Sequence, residues 1–135
     1  MNVTQMEITV RCTEIDVNGH VNNAKYLEYY EWGREEWFER QGLDYQTLKD
    51  LGAVTVVARA EVDYHQAAHQ NDRLIVTTWL ERVGRTSLRM RQRITGSFGV
   101  LVGEALFVIV TVSPETGRPV PVPEPLRALA AASGT

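Results

Sequence analysis

Apolar side chains recur at every second position through Met6, Ile8, Val10 and Cys12, the alternation of a strand with one buried face. From Asn23 to Gln41 the period lengthens to that of a helix, and Gly42 supplies the stop. At about 100° per residue, Tyr26, Tyr30, Gly33 and Trp37 share one face, flanked by Leu27, Tyr29 and Phe38. That arc is wider than the stripe of a surface helix and predicts a helix held in a concave surface. Arg34 intrudes on the arc and Trp32 lies outside it, both positions from which a second subunit could be met.

Asp44 to Leu51 reads as a short amphipathic turn closed by Gly52. The period-two pattern then returns in four runs: Ala53–Tyr64, Arg73–Val83, Ser87–Gly96 and Gly99–Val112, the last apolar enough to be central. The short gaps between runs predict antiparallel hairpins or meanders, since a parallel crossover needs a dozen residues or more. Prolines recur from Pro114 to Pro125, which keeps that segment out of a central ladder, and Leu126 to Ala132 predicts a last helical turn or two. One apolar helix and one antiparallel sheet make an α+β two-layer fold. The 135 residues predict one domain over 1–135. Exposed sheet edges favour pairing with a second copy.

Composition narrows the function classes. Formal net charge is −3 and pI about 5.6, so the overall field attracts neither nucleic acid nor an anionic membrane. Cys12 is the only cysteine, which fits a reducing compartment. The first ten residues lack a signal pattern, and no apolar run could span a bilayer, so the cytoplasm is the expected address. His20, His65 and His69 have no metal-ligand spacing, and no phosphate loop, serine elbow or dinucleotide fingerprint occurs; no metal or cofactor is expected.

The dense polar cluster is Glu14-Ile-Asp-Val-Asn-Gly-His-Val-Asn-Asn23, between the first strand and the long helix. It puts a carboxylate, Asp16, ahead of a helix start whose unpaired N–H groups suit developing negative charge. A thioester carbonyl aimed at them would be polarised, and Asp16 could activate water or attack the carbonyl itself. Gly19 lets the backbone turn between the two parts. The same residues also suit a plain turn and helix cap, so spacing alone leaves both readings open.

Arg11-x-x-Glu14-x-Asp16-x-x-Gly19-His20-Val21-Asn22-Asn23-Ala24-Lys25-Tyr26, followed by Glu31-Trp-Gly-Arg34, resembles the signature of the 4-hydroxybenzoyl-CoA thioesterase type of hotdog-fold acyl-CoA thioesterases. The likeness continues through Tyr64-His-Gln-Ala67 and Asn71-Asp72-x-Leu74, without the proline and glycine usual there. It implies a hotdog fold, a five-stranded antiparallel sheet wrapped around a long central helix, and hydrolysis of an acyl-CoA to free acid and CoA. It casts Asp16 as nucleophile or general base, the backbone N–H of Asn23 as the oxyanion donor, and His20 as its neighbour in the catalytic loop. Gly19, Asn22, Tyr26 and Arg85 are the expected substrate-binding residues, Arg85 through the CoA phosphates. Periodicity also places Tyr26 in the core. A homodimer or homotetramer is the expected assembly. The rival expectation is a non-catalytic hotdog module that binds acyl-CoA or acyl-carrier protein. His65 and His69 read as solvated or structural, Arg89, Arg91 and Arg93 as an outward strand face, and Cys12 as a small buried residue.

Overall fold

The computed structural model describes residues 2–132. Strand β1 (Thr4–Thr9) is followed by helix α1 (Asn23–Arg40), helix α2 (Tyr45–Asp50), strands β2 (Val54–Tyr64), β3 (Arg73–Val83), β4 (Ser87–Thr95) and β5 (Leu101–Val112), and helix α3 (Glu124–Ala132). The strands form one five-stranded sheet in the order β1-β3-β4-β5-β2, antiparallel at every pair. This is the α+β hotdog arrangement that the pattern and the resemblance imply.

α1 lies on the sheet through the expected face. Tyr26, Tyr29, Tyr30, Gly33, Trp37 and Phe38 are buried, and the five aromatic residues join Val76, Leu80, Leu88, Met90, Ile94 and Phe107 in one hydrophobic cluster. The approach is close at Gly33, where a Cβ would stand 2.6 Å from Cγ1 of Val76 and 2.9 Å from Nε2 of Gln92. Gln92 is buried below the helix and donates to the Tyr30 carbonyl (2.8 Å) and to Oγ1 of Thr78 (2.9 Å). Arg34 completes this buried polar group: its Nη1 donates to Oε1 of Gln92 at 3.1 Å, and its guanidinium stacks 4.0 Å from the centre of the Phe107 ring. Burial pushes the Arg34 pKa down to about 10.

Several expectations need correcting. Leu27 is 43% exposed, outside the buried face. Cys12 is exposed too, because β1 ends at Thr9 and Cys12 enters a 3-10 turn held by Arg11 N–H donating to Oε1 of Glu14 (2.8 Å). β2 does not form a hairpin with β3: it pairs with β5 at one edge, and residues 65–72 cross the end of the sheet to β3. Three strand spacings of about 4.8 Å are easily bridged by eight extended residues at about 3.3 Å each. Only β3-β4-β5 is a meander, and its middle strand is β4, with β5 one place nearer the edge.

Candidate active site

The segment between β1 and α1 is a tight loop. Ile15 and Val21 form an antiparallel bridge, and Asp16 N–H donates to the His20 carbonyl at 3.0 Å. Gly19 closes the loop with φ +80°, a left-handed conformation glycine adopts without strain. Asp16 sits at its base, one side-chain oxygen accepting from Asn18 N–H (2.8 Å). Behind it, Glu14 is buried and accepts from Arg11 N–H and from the Tyr29 hydroxyl, both at 2.8 Å, while its carbonyl accepts from Asn22 N–H (2.9 Å). Glu14 and Tyr29 therefore clamp the loop to α1 from inside. Burial and the Glu14 carboxylate both raise the Tyr29 pKa, burial more, so Tyr29 remains a hydrogen-bond donor.

Asn22 is the N-cap of α1. Its side chain accepts from Ala24 N–H (2.8 Å) and its carbonyl from Lys25 N–H (2.9 Å). Of the first-turn amides this leaves Asn23 N–H, which makes no hydrogen bond among the described residues. The cap residue thus satisfies the donors around one amide and leaves that amide for something else.

The opposite wall is the start of the crossing segment. His65 and Gln66 N–H both donate to the Val102 carbonyl, at 2.9 and 3.1 Å. The Tyr64 hydroxyl donates to the Asn23 carbonyl (3.0 Å), Ala68 N–H to the Tyr26 hydroxyl (3.2 Å) and Val21 N–H to the Ala68 carbonyl (2.8 Å). Tyr26 and Tyr64 meet edge to face at 5.2 Å between centroids, and burial raises the Tyr26 pKa. Between the walls lies a cavity of about 330 Å³, lined by Asp16, His20, Val21, Asn23, Tyr26, Tyr64, His65, Gln66 and Ala67.

The cavity gathers Asp16, His20, Asn23 and Tyr26. Gly19 and Asn22 shape it from the backbone without lining it, and Arg85 lies elsewhere, exposed at the β3–β4 turn at the far end of the sheet. Beside that turn a groove is lined by Arg82, Arg89, Arg91 and Arg127 together with Glu81, which pairs with Arg91 (3.0 Å) and Arg89 (3.6 Å), while Arg93 lies over the Trp79 ring. Another cleft, of about 350 Å³, runs between α1, α2 and β2, but Glu31, Glu35 and Glu39 on its rim disfavour an anionic ligand. Sequence reasoning missed Glu14 as a support for the loop; the Arg11-x-x-Glu14 spacing was its only signal. It also missed His65 as a lining residue, because the short gap between β2 and β3 predicts a turn back rather than a crossing. Among the described residues no group of three or more histidines, cysteines and carboxylates is placed to hold a metal ion. No helix among them is long and apolar enough to cross a membrane.

Comparison with known proteins identifies the family of the fold. A model of the thioesterase-like superfamily matches residues 10–129. The acyl-CoA thioester hydrolase YbgC of Escherichia coli O6:H1 is 30% identical over 126 residues, 92% of this chain and 94% of that protein. The long-chain acyl-CoA thioesterase FadM of E. coli K12 is 31% identical over 115 residues, 84% of this chain and 86% of that one. A thioesterase of Thermus thermophilus, solved with coenzyme A and zinc, superposes with a TM-score of 0.81 at 36% identity, covering 99% of this chain and 96% of its own. With its carboxylate and helix start set across one cavity, the chain belongs to the thioesterase-like superfamily and is a thioester hydrolase of hotdog fold.

Proposed function

We propose that the protein hydrolyses acyl-CoA thioesters with Asp16 as nucleophile or general base and Asn23 N–H as the oxyanion donor. The observation that carries the reading is one cavity lined by both Asp16 and Asn23, the N–H of Asn23 making no hydrogen bond among the described residues. A thioester carbonyl in it would direct its oxygen at Asn23 N–H, where the helix end favours negative charge as the tetrahedral state forms. Asp16 then adds to the carbonyl carbon or takes a proton from the water that does so. His20 closes the cavity beside Asp16, its ring edge-on to His69 at 6.3 Å between centroids. YbgC and FadM both act on acyl-CoA by name, which favours CoA over a carrier protein here.

The single domain works as a homodimer or homotetramer. β2 is an eleven-residue edge strand with Val56 and Val57 48% and 46% exposed, the kind of edge that pairs with its own copy. If two β2 edges pair antiparallel, the two-fold axis brings the partner's β3–β4 turn to the end of the sheet where Asp16 lies. Arg85 and the arginine groove of one copy would then meet the CoA phosphates of a substrate held by the other. One exposed cysteine fits work in the cytoplasm.

The test is a panel of acyl-CoAs of increasing chain length, with one carrier-protein thioester, assayed by release of free thiol. Turnover with kcat/KM rising toward one acyl class is expected. Binding across the whole panel without thiol release would instead establish a non-catalytic binding module.

A further inference from the structure

Histidine 65 is not accounted for by the mechanism above, and its surroundings are unlike those of the other two histidines. It lines the Asp16 cavity from the wall opposite the Asp16 loop. Its backbone is held on β5 through the shared Val102 carbonyl, so the side chain starts from a rigid position. Its Nε2 stands 2.9 Å from Oε2 of Glu104, which projects from β5 at the rung pairing Asp63 with Glu104. A carboxylate can only accept, so Nε2 carries the hydrogen and Nδ1 is the nitrogen left for proton exchange. The two side chains are 40% and 49% exposed, and an ion pair so open to water contributes little to stability. A carboxylate that fixes one nitrogen of an imidazole at the edge of a reaction cavity has a different use: it sets the tautomer and orients the ring.

We propose that His65 is a second catalytic residue, which protonates the departing sulfur, and that Glu104 is its positioning residue. The proposal rests on the thioesterase reading of the cavity. The alkyl thiol of CoA, like that of cysteine with a pKa near about 8.5, leaves less readily as a bare thiolate than an aryl thiol does, so protonation at sulfur assists its departure. The step requires His65 as imidazolium, with Nε2–H on Glu104 and Nδ1–H toward the cavity. As the tetrahedral state collapses, the C–S bond breaks with its electron pair on sulfur, sulfur takes the Nδ1 proton, and the neutral Nε2–H imidazole remains. The acyl carbon keeps the oxygen delivered by Asp16 or by its water. The proton lost by the water passes through Asp16 to solvent, the released acid ionises, and the neutral imidazole recovers a proton from solvent, so thioester and water give thiol, carboxylate and one net proton. The titratable groups around His65 are Glu104, its partner across the β2–β5 rung Asp63, and Asp16, His20, Tyr26 and Tyr64, which line the same cavity.

The discriminating experiment varies the leaving group. The acyl group turned over fastest in the panel is presented on CoA and on 4-nitrothiophenol, whose thiolate departs without a proton, to wild type, His65→Gln and Glu104→Gln. General acid–base assistance is worth about 10²–10⁴-fold. His65→Gln should lose at least about thirtyfold more kcat on the CoA ester than on the aryl ester. Glu104→Gln should show the same preference at about a third of that size or more, with both variants melting within a few degrees of wild type. Equal losses on the two esters, or no loss on either, would overturn the role of His65 while leaving the Asp16 reading intact. Failure of wild type to release either thiol would remove both readings together.

Discussion

Replacing Gly33 with alanine tests how closely α1 presses on the sheet, and the site depends on that placement. The new methyl would begin 2.6 Å from Cγ1 of Val76, 2.9 Å from Nε2 of Gln92 and 3.0 Å from Oγ1 of Thr78. Carbon atoms in contact prefer about 3.5–4.0 Å, so helix and strand must separate by about 1 Å. Overpacking of this kind costs about 1–3 kcal/mol. If the Gln92 amide yields instead, it withdraws from the Tyr30 carbonyl and from Thr78, leaving buried groups unpaired for about 1–3 kcal/mol. Alanine returns about 1 kcal/mol of helix propensity over glycine. By either route the balance is a net loss of about 1 kcal/mol and at most about 2, or roughly 4 °C in Tm for a domain of this size. Urea and thermal unfolding of Gly33→Ala give the number. Val76→Ala in the same chain opens the crowded space, so the double mutant should be more stable than the sum of the single effects. A Gly33→Ala protein as stable as wild type, or more so, would refute the close approach, because propensity alone predicts a gain.

Two further outcomes follow from side chains around the loop and α2. Tyr29→Phe leaves the buried Glu14 carboxylate one donor short, which should cost about 1.5–3 kcal/mol in chemical denaturation. It should also lower kcat, because Glu14 holds both Arg11 N–H and, through its carbonyl, Asn22 N–H at the helix cap. The exposed Asp44 accepts from Thr47 N–H at the start of α2, and hydrogen bonding to Thr47 lowers its pKa. A carboxyl lowered in the folded state contributes stability above its unfolded value, near about 3.9, and loses it as pH falls through the lower folded value. Acid titration of unfolding should therefore show wild type losing more stability below about pH 4 than Asp44→Asn, whose amide oxygen still caps the helix.

Most of the elements were legible from periodicity, because helix and strand place apolar residues at different repeats. The α1 face from Tyr26 to Trp37 followed from that alone, and the bounds of β3 from the turn residues Gln70-Asn-Asp72 and Gly84 on either side of the run. Pairing was less legible. The segment 65–72 has the length of a hairpin loop, and only the tertiary contacts of His65, Gln66 and Ala68 show that it crosses to the other side of the sheet. That crossing builds the second wall of the cavity, so the part of the site that escaped sequence reasoning, His65 above all, is the part carried by a non-local connection. Asp16, His20 and Asn23 lie on one continuous segment and could be read together. Cys12 was misplaced for a local reason: alternation continues past Val10, but the Arg11–Glu14 hydrogen bond turns the chain before the next inward position. Arg34 could be seen to break an apolar arc, yet nothing in the linear pattern shows that Gln92 and the Phe107 ring await it across the sheet.

The most direct test of the mechanism is single-turnover hydrolysis of a good acyl-CoA substrate by Asp16→Asn beside wild type, with substrate affinity measured on both. Asparagine keeps the shape of the side chain and can still accept from Asn18 N–H, but it neither attacks a thioester nor takes a proton from water. The rate constant for thiol release should fall by at least about 10²-fold with affinity changed little, the pattern of a group acting only in the transition state. An Asp16→Asn protein that releases thiol at the wild-type rate would show that this carboxylate does not drive the hydrolysis.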